Sequence, residues 1–364
     1  MQRVAVGSLV LVSVLASCGS TTQNASTGAS PKASTSPSAA VTAAPTPSPV
    51  IVPFPDLPVI VGTSTGDLFF ALNNGQPAGP KVHACNGTIR YVVAYGRQAA
   101  FLCGGPGMVT ALFLWDEATN RATEIAKSES AMIAFDGLGS LAYVTIGKIE
   151  PSAPIPMTKL VVRDLRSGAT TVLDERYGVA FELRTTGEGI AVWRPRNSLS
   201  FVRPDAEAGT WLIRGTTLAK FSQHRLIDGG KGRDVLETEP VGSSGGSCCT
   251  SVIWRTTAEE RLTPSDVSNE NAVALLEDGR VVAWRPDTSP FAGSIVIYNG
   301  TKVERTDRGF FSAFGVMRAG EWLVGQELSG APSLTLRAYR ITDGAFASSP
   351  GDGISAIALL GPKK

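Results

Sequence analysis

A repeating unit of β-strands is the sequence feature that most restricts the fold of this chain. From about residue 90 onward, an apolar strand, a Gly- or Asp-containing turn and a second apolar strand recur six times. Each pair is followed by a variable loop, an alternating third strand, a short turn and a polar fourth strand. The units begin about 40 to 50 residues apart, which is the period of β-repeat architectures.

The six units share one predicted layout. Their first strands are predicted at Tyr91–Ala94, Met132–Phe135, Ala180–Leu183, Arg225–Ile227, Ala272–Leu276 and Phe311–Val316. Their third strands are predicted at Ala111–Trp115, Lys159–Arg163, Thr210–Ile213, Ser251–Trp254, Ser294–Tyr298 and Leu334–Tyr339.

The two ends of the repeat region supply a seventh unit. Ile354–Leu360 forms a lone first strand, and Val59–Gly62, Asp67–Leu72 and Lys81–Ala84 form strands two, three and four. Residues 56–364 divided over seven units give about 44 residues each, as expected for propeller blades. The sequence therefore predicts an all-β domain, a seven-bladed β-propeller with one blade built from both termini.

Other β architectures remain as alternatives. A β-sandwich or two smaller β domains would need a linker, and no linker-like stretch divides residues 90–349. Six or eight blades also stay open, because the unit at 176–222 is long. Within that unit, Leu199–Val202 is an alternative third strand.

The first residues have the pattern of an export signal. Arg3 precedes an apolar run, Val4–Val14, that is too short to span a bilayer, which takes about 20 residues. The run ends in Leu15-Ala16-Ser17-Cys18, which resembles the bacterial lipobox. The resemblance implies a signal peptide over residues 1–17 and a mature chain that is acylated at Cys18 and anchored to the membrane. An ordinary signal peptide with a chance cysteine is the alternative.

A linker follows the cysteine. Residues 18–55 consist almost entirely of Ser, Thr, Ala, Pro and Gly, with little apolar bulk before Val50. Such a segment cannot bury enough surface to offset its ordering entropy. We therefore expect a disordered tether that carries a folded domain, residues 56–364, outside the cytoplasm.

Two motifs resemble known propeller families. Leu276–Trp284 contains Asp278-Gly279-Arg280 between two apolar strands and is similar to the TolB-like element, whereas Val61–Leu72 is similar to the quinoprotein-like element. The repeat region as a whole resembles bacterial lipoproteins with WD-like, TolB-like or quinoprotein-like propellers. The resemblance implies the fold and a position in the cell envelope, and it implies no substrate.

The four cysteines beyond Cys18 are candidates for disulfides, because an even number in an exported chain favours pairing. Cys85 ends the N-terminal blade segment and Cys103 ends a strand of the next blade, so a bond would join the two blades. Cys248 and Cys249 are adjacent and are candidates for a vicinal disulfide. Each cysteine alternatively pairs elsewhere or stays free.

Catalytic and metal-binding signals are weak. The chain has only two histidines, His83 and His224, which we interpret as structural hydrogen-bonding groups, and no Cys or His spacing typical of a metal site. Carboxylate pairs such as Glu237/Glu239 and Glu259/Glu260 are interpreted as solvated strand faces, and the six tryptophans as blade-packing core. Lys and Arg total 33 against 32 Asp and Glu, which argues against a nucleic-acid binder. The sequence predicts no metal, no cofactor and no catalytic residue.

One face of the propeller is predicted to bind. The long loops all connect second to third strands and emerge on one face, and loops on a rigid scaffold commonly carry binding residues. The candidate binding residues on these loops are Arg196, Arg203, Asp205, Cys248, Cys249, Asp287 and Phe291. The hypothesis is a non-catalytic binding or scaffold module for a protein, peptide or glycan. The alternative is a propeller enzyme (a hydrolase, lyase or quinone-dependent dehydrogenase) with its site in the central funnel.

Overall fold

Seven four-stranded antiparallel sheets make up the domain. The computed structural model describes residues 50–95, 98–105, 110–126, 130–136, 139–147, 156–177, 181–194, 208–230, 232–238, 250–267, 269–286, 293–309, 317–327, 335–351 and 353–359. The sheets are arranged radially, and their innermost strands contact one another in sequence around a ring. The predicted seven-bladed β-propeller is confirmed, and the six-bladed, eight-bladed and sandwich alternatives are excluded.

The strands of each blade are given from the innermost outward. Blade 1 contains β28 (Ile354–Leu359), β1 (Val59–Thr63), β2 (Asp67–Asn73) and β3 (Gln76–His83). Blade 2 contains β4 (Thr88–Tyr95), β5 (Gln98–Gly104), β6 (Ala111–Asp116) and β7 (Arg121–Ala126). Blade 3 contains β8 (Ser130–Phe135), β9 (Ser140–Ile146), β10 (Met157–Asp164) and β11 (Thr170–Tyr177). Blade 4 contains β12 (Glu182–Thr186), β13 (Gly189–Arg194), β14 (Gly209–Arg214) and β15 (Thr217–Ser222).

The remaining three blades follow the same order. Blade 5 contains β16 (Arg225–Gly230), β17 (Arg233–Glu237), β18 (Val252–Arg255) and β19 (Glu259–Arg261). Blade 6 contains β20 (Asn271–Leu275), β21 (Val281–Pro286), β22 (Gly293–Asn299) and β23 (Lys302–Gly309). Blade 7 contains β24 (Met317–Ala319), β25 (Trp322–Glu327), β26 (Thr335–Arg340) and β27 (Phe346–Pro350).

Both ends of the repeat region meet in blade 1, as predicted. β28 pairs antiparallel with β1, with Val59 opposite Leu359 and Val61 opposite Ile357. Ser355 of β28 also donates its hydroxyl to the Ile89 carbonyl of blade 2 at 2.5 Å. The closing strand therefore joins the last residues of the domain to its first blade and to the neighbouring blade.

The core is divided into seven apolar clusters, one at each blade-to-blade interface. The period-two pattern explains this arrangement, because alternate side chains of a strand point to opposite faces of its sheet. The cluster between blades 7 and 1 contains Val59, Val61 and Val324, all fully buried. The ring is therefore packed continuously, including the interface where the two chain ends meet.

The predicted first strands of two units are displaced. In blade 4 the inner strand is Glu182–Thr186, not Ala180–Leu183, and in blade 7 it is Met317–Ala319. The segment Phe311–Val316, predicted for blade 7, lies outside the described residues. The hairpin at Gly320, which has a positive φ of 63°, sets the register of the blade 7 strand. Apolar alternation alone did not identify this register, because the alternation continues through Phe311–Val316 and into Met317–Ala319.

The tryptophans occupy second and third strands, as predicted. Trp115, Trp193, Trp284 and Trp322 are buried, and Trp211 and Trp254 pack partly buried against neighbouring clusters. They act as blade core and do not form an exposed aromatic platform. In the part of the chain that the structure covers, no helix is long and apolar enough to cross a bilayer.

A disulfide joins Cys85 to Cys103, as predicted, and connects blade 1 to blade 2. Both cysteines lie in the apolar cluster between these blades. Cross-linking residues 18 positions apart restricts the unfolded chain, and the loop-entropy relation gives about 3 kcal/mol.

We expect the variant Cys85→Ala/Cys103→Ala to be destabilised by that amount, because the bond is lost while the small side chains still fit. The midpoint of thermal unfolding should fall by about 5 to 10 °C. Differential scanning calorimetry measures it, with the reduced wild-type protein as the control for the missing bond. A midpoint equal to that of the oxidised wild type would contradict the prediction.

Candidate functional site

The two faces of the propeller differ in their connections, as the loop lengths predicted. The second-to-third-strand loops of blades 4 and 5 are the longest, at residues 195–208 and 238–251. The first-to-second-strand turns on the other face contain two to five residues. We call these the loop-rich face and the short-turn face. Blades 4 and 5 therefore carry the largest insertions, side by side.

The innermost strands present one unpaired backbone edge to the central channel, and neighbouring blades supply hydrogen bonds to it. Thr185 of blade 4 both accepts from the Phe135 N–H at 3.1 Å and donates to the Phe135 carbonyl at 2.8 Å. Asp228 of blade 5 accepts from the Leu275 N–H of blade 6 at 3.0 Å. Unpaired backbone groups are costly when buried, so these side chains stabilise the channel wall.

A cluster of ionised side chains lies where the channel opens on the loop-rich face. Arg225, at the start of β16, donates hydrogen bonds to Glu182 of blade 4 and, at 3.1 Å, to Glu237. Glu237 is only 4% exposed and also accepts the Ala272 N–H at 2.6 Å. One guanidinium thus joins carboxylates of two blades, and one of these carboxylates binds a third blade.

The pKa values of this cluster reflect burial opposed by charge. Burial raises the pKa of Glu237, although Arg225 and Arg184 favour its ionised form. Burial acts to lower the pKa of Arg225, but the charges of Glu182 and Glu237 outweigh it and raise the pKa. The carboxylate of Glu237 therefore depends on the neighbouring guanidinium groups to remain ionised.

Deeper in the channel, Arg184 of blade 4 faces Tyr91 of blade 2. Arg184 lies two residues after Glu182 on β12, so the two side chains share a face of the strand. Blade 3 separates blades 2 and 4, so the electrostatic interaction between Tyr91 and Arg184 crosses the channel. Tyr91 keeps 37% of its surface exposed, although burial among the blades raises its pKa. The phenol therefore projects into a channel that water can enter.

A second charged group lies toward the short-turn face. Burial raises the pKa of Asp228, while the Leu275 and Gly229 N–H groups and the charge of Arg318 favour its ionised form. Arg318 of blade 7 donates to the Gly320 carbonyl at 3.0 Å and lies 3.4 Å from Glu277. Acidic and basic groups therefore alternate along the channel from one face to the other.

The sequence did not identify this channel cluster. Glu237, interpreted as part of a solvated strand face, is buried, and that interpretation is wrong because its strand ends beside Arg225 of the same blade. Glu259 and Glu260 are exposed, as predicted. The available signal was the pair Glu182 and Arg184, two opposite charges at period two in an inner strand.

The two histidines contact side chains of outer blade strands and their neighbours: His83 ends the outermost strand of blade 1, and His224 lies in the connection between blades 4 and 5. His83 Nδ1 is 3.0 Å from Asp67 and its Nε2 is 3.0 Å from Asn86. His224 Nε2 is 3.5 Å from Glu259 of β19. These contacts agree with structural roles. Among the described residues, no three His, Cys, Asp or Glu side chains are grouped to hold a metal ion.

None of the seven candidate binding residues belongs to the described part of the chain. Arg196, Arg203, Asp205, Cys248, Cys249, Asp287 and Phe291 belong to loops outside the described residues, as does Cys18. They remain predictions. Their loops begin and end on the loop-rich face, because Arg194, Gly209, Glu237 and Val252 end or begin the flanking strands there.

Several solved structures have a similar fold. A structure from a structural and mechanistic analysis of two prolyl endopeptidases matches with a TM-score of 0.52 at 13% identity, over 80% of this chain and 50% of that chain. TolB from Acinetobacter baumannii matches with a TM-score of 0.45 at 12% identity, over 83% and 66% of the two chains. The β-propeller domain of the Trilobed protease from Pyrococcus furiosus gives 0.44 and 12%, over 79% and 84%.

The chain therefore spans half of the prolyl endopeptidase and 66% of TolB. At such identities the likeness concerns the fold only. The sequence matches no protein-family model and no curated protein.

Proposed function

We propose that this protein is a non-catalytic binding module of the cell envelope, anchored to the membrane through acylated Cys18. Its loop-rich face holds a protein, peptide or glycan partner. One observation carries the proposal. The two longest loops and the ionised cluster of Glu182, Arg225 and Glu237 belong to the same two blades and lie on the same face.

The strands that carry the two long loops are held rigidly. Ordering a loop on binding costs entropy, and fixed loop ends reduce that cost because fewer conformations are lost. Binding groups commonly lie on loops held in this way. Arg225 fixes blades 4 and 5 against each other, and Glu237 fixes blade 6 through the Ala272 N–H. The ends of both long loops are therefore held at a constant separation around the channel opening.

The N-terminal segment enters the domain on the short-turn face, opposite the proposed binding face. The Val52 N–H donates to the Phe346 carbonyl, and the Phe346 N–H donates to the Val50 carbonyl, each at 2.8 Å. Asp56 then accepts the Asn74 N–H at 3.0 Å, in the third-to-fourth-strand turn of blade 1. Phe346 directly follows the corresponding turn of blade 7, so the segment enters at the short-turn face. The tether to Cys18 therefore leaves the domain on the side opposite the loop-rich face and does not obstruct that face.

Trimming the blade 5 loop tests the proposal. We expect a variant with residues 240–249 replaced by a Gly-Ser link to lose its partner, because the loop supplies contact surface. Thr250 is kept, because it is buried and its carbonyl accepts the Glu270 N–H. Capture by crosslinking pull-down from whole cells should fall to less than about one tenth of the wild-type level.

The matched control inserts Gly-Ser-Gly between Gly215 and Thr216, in an open turn of the short-turn face. Capture by this variant should be unchanged, and both variants should keep the wild-type thermal midpoint. Equal capture by the loop-trimmed and wild-type proteins would overturn the proposal.

A hydrolase or lyase is the second candidate function, and a specific observation favours it. Two carboxylates and a guanidinium meet within hydrogen-bonding distance at the channel opening, and the pKa of Glu237 is raised. A carboxyl group with a raised pKa suits general acid catalysis. Turnover that disappears in Glu237→Gln, with folding retained, would favour this function over the binding module.

A further inference from the structure

The guanidinium of Arg184 has no direct partner within the described part of the chain. Neither a hydrogen bond nor an ion pair involves it, although it is partly buried inside the ring. Other arginines between blades have carboxylate partners: Arg225 binds two carboxylates, and Arg285 binds Glu270 at 3.0 Å. A guanidinium carries five N–H donors in a fixed plane and stays charged in proteins.

The acceptors around Arg184 are already engaged by other donors. Glu182 and Glu237 accept hydrogen bonds from Arg225. Asp228 accepts the N–H groups of Leu275 and Gly229 at 3.0 and 2.8 Å. These carboxylates act on Arg184 through space without satisfying its donors. The guanidinium is only partly buried, so its donors are open to the channel and can bind acceptor atoms of a ligand in place of water.

We propose that Arg184 binds a carboxylate group of a ligand that enters the channel from the loop-rich face, with Tyr91 as a second hydrogen-bond donor. A carboxylate matches the planar donor pair of a guanidinium with two parallel hydrogen bonds. The phenol of Tyr91 reaches the same region from across the channel and is exposed there. The inference rests on the proposed binding function and identifies the ligand group that enters the channel.

The surrounding charges select a monoanion over a dianion. Glu182, Glu237 and Asp228 all act electrostatically on this region, and Arg225 is the nearest additional cation. A second negative charge on the ligand would be repelled by these carboxylates at short range. Acetate should therefore bind Arg184 more tightly than phosphate does at pH 7.5.

Nuclear magnetic resonance of the arginine side chains tests the inference. The full folded domain, labelled with ¹⁵N,¹³C-arginine, is titrated with sodium acetate, phosphate or chloride at constant ionic strength. We expect a saturable shift of the Arg184 signal with acetate, with a dissociation constant of about 1 to 50 mM, typical of a single small anion. The signal is assigned from its disappearance in Arg184→Gln.

Three variants separate a specific site from general anion binding. Arg184→Lys keeps the charge but loses the planar donor pair, and should bind acetate about tenfold more weakly. Tyr91→Phe removes one donor and should weaken binding about fivefold. Arg121→Gln, on the exposed outermost strand of blade 2, should leave acetate binding unchanged. Equal shifts with chloride, or no saturation at high acetate, would overturn the inference.

Larger probes distinguish possible sources of the carboxylate. A short peptide with a free C-terminus, its amidated form and glucuronate are compared on the same signal. Tighter binding of the free peptide than of glucuronate indicates a polypeptide ligand, and the reverse indicates an acidic glycan. If acetate binds Arg184 but trimming the blade 5 loop does not reduce partner capture, only the proposed function of the loop-rich face is refuted. If trimming abolishes partner capture but acetate does not bind Arg184, only the carboxylate site is refuted.

Discussion

A protein truncated after Gly353 should fail to form a closed, monomeric ring. The truncation removes β28, so the inner edge of blade 1 and the fully buried residues Val59, Ile60 and Val61 lose their cover. It also removes Ile354 and Ala356 from two of the seven interface clusters. We expect a loss of at least about 5 kcal/mol, comparable with the whole stability of a small domain. Size-exclusion chromatography and urea unfolding measure this outcome.

Two further variants test whether the loss of β28 itself causes this destabilisation. A chain truncated after Leu359 keeps β28 and should unfold at the wild-type urea concentration. The substitution Ala356→Pro keeps the full length but places a proline, which disfavours strand pairing, within β28, where Ala356 lies opposite Gly62. It should be destabilised by about 3 kcal/mol or more. A cooperative, monomeric protein lacking residues 354–364 would show that blade 1 does not need its inner strand.

Replacing Arg225 by leucine should destabilise the protein by about 3 to 5 kcal/mol, because it leaves a buried carboxylate without its cation. Within the described part of the chain, Glu237, which is 4% exposed, would keep only the Ala272 N–H as a hydrogen-bond donor. Urea unfolding at pH 7.5 measures the loss. Glu182 is 36% exposed and can be hydrated, so the cost arises mainly at Glu237.

The effect of Arg225→Leu should depend on pH with a definite sign. Burial already raises the pKa of Glu237 above its ordinary value of 4.5, and removal of the cation raises it further. The folded variant then holds a proton that the unfolded chain releases above pH 4.5. The deficit relative to wild type should therefore shrink as the pH falls toward 4.5 and grow as the pH rises through the native pKa.

A second substitution tests the same cause. The double variant Arg225→Leu/Glu237→Gln removes the buried carboxylate charge and should recover most of the stability at pH 7.5. Its stability deficit relative to wild type should change little between pH 5 and 8. A deficit that is equal at both ends of this range, or a double variant as unstable as Arg225→Leu, would show that lost packing dominates.

Much of the architecture follows from local sequence patterns. Strand alternation and Gly- or Asp-containing turns act over two to ten residues, so units such as Gly189–Arg194 with Gly209–Arg214 were predictable. The disulfide followed from two cysteines at the boundary of adjacent units. The inner strand of blade 7 was misplaced because apolar alternation continues through 311–319, and the turn at Gly320 decides which part pairs with β25.

The sequence by itself therefore predicted a ring of repeats closed by Val59–Gly62 and Ile354–Leu360, with Cys85 and Cys103 as a candidate link. The structure decided that the blades number seven and that these two cysteines are bonded. Only the tertiary structure decided what meets in the channel. Tyr91 and Arg184 lie on inner strands of blades separated by a third, and nothing in the spacing of their residues encodes that approach. Radial packing brings inner strands together around one axis, so side chains that are distant in sequence become neighbours there, and a glutamate such as Glu237 becomes buried.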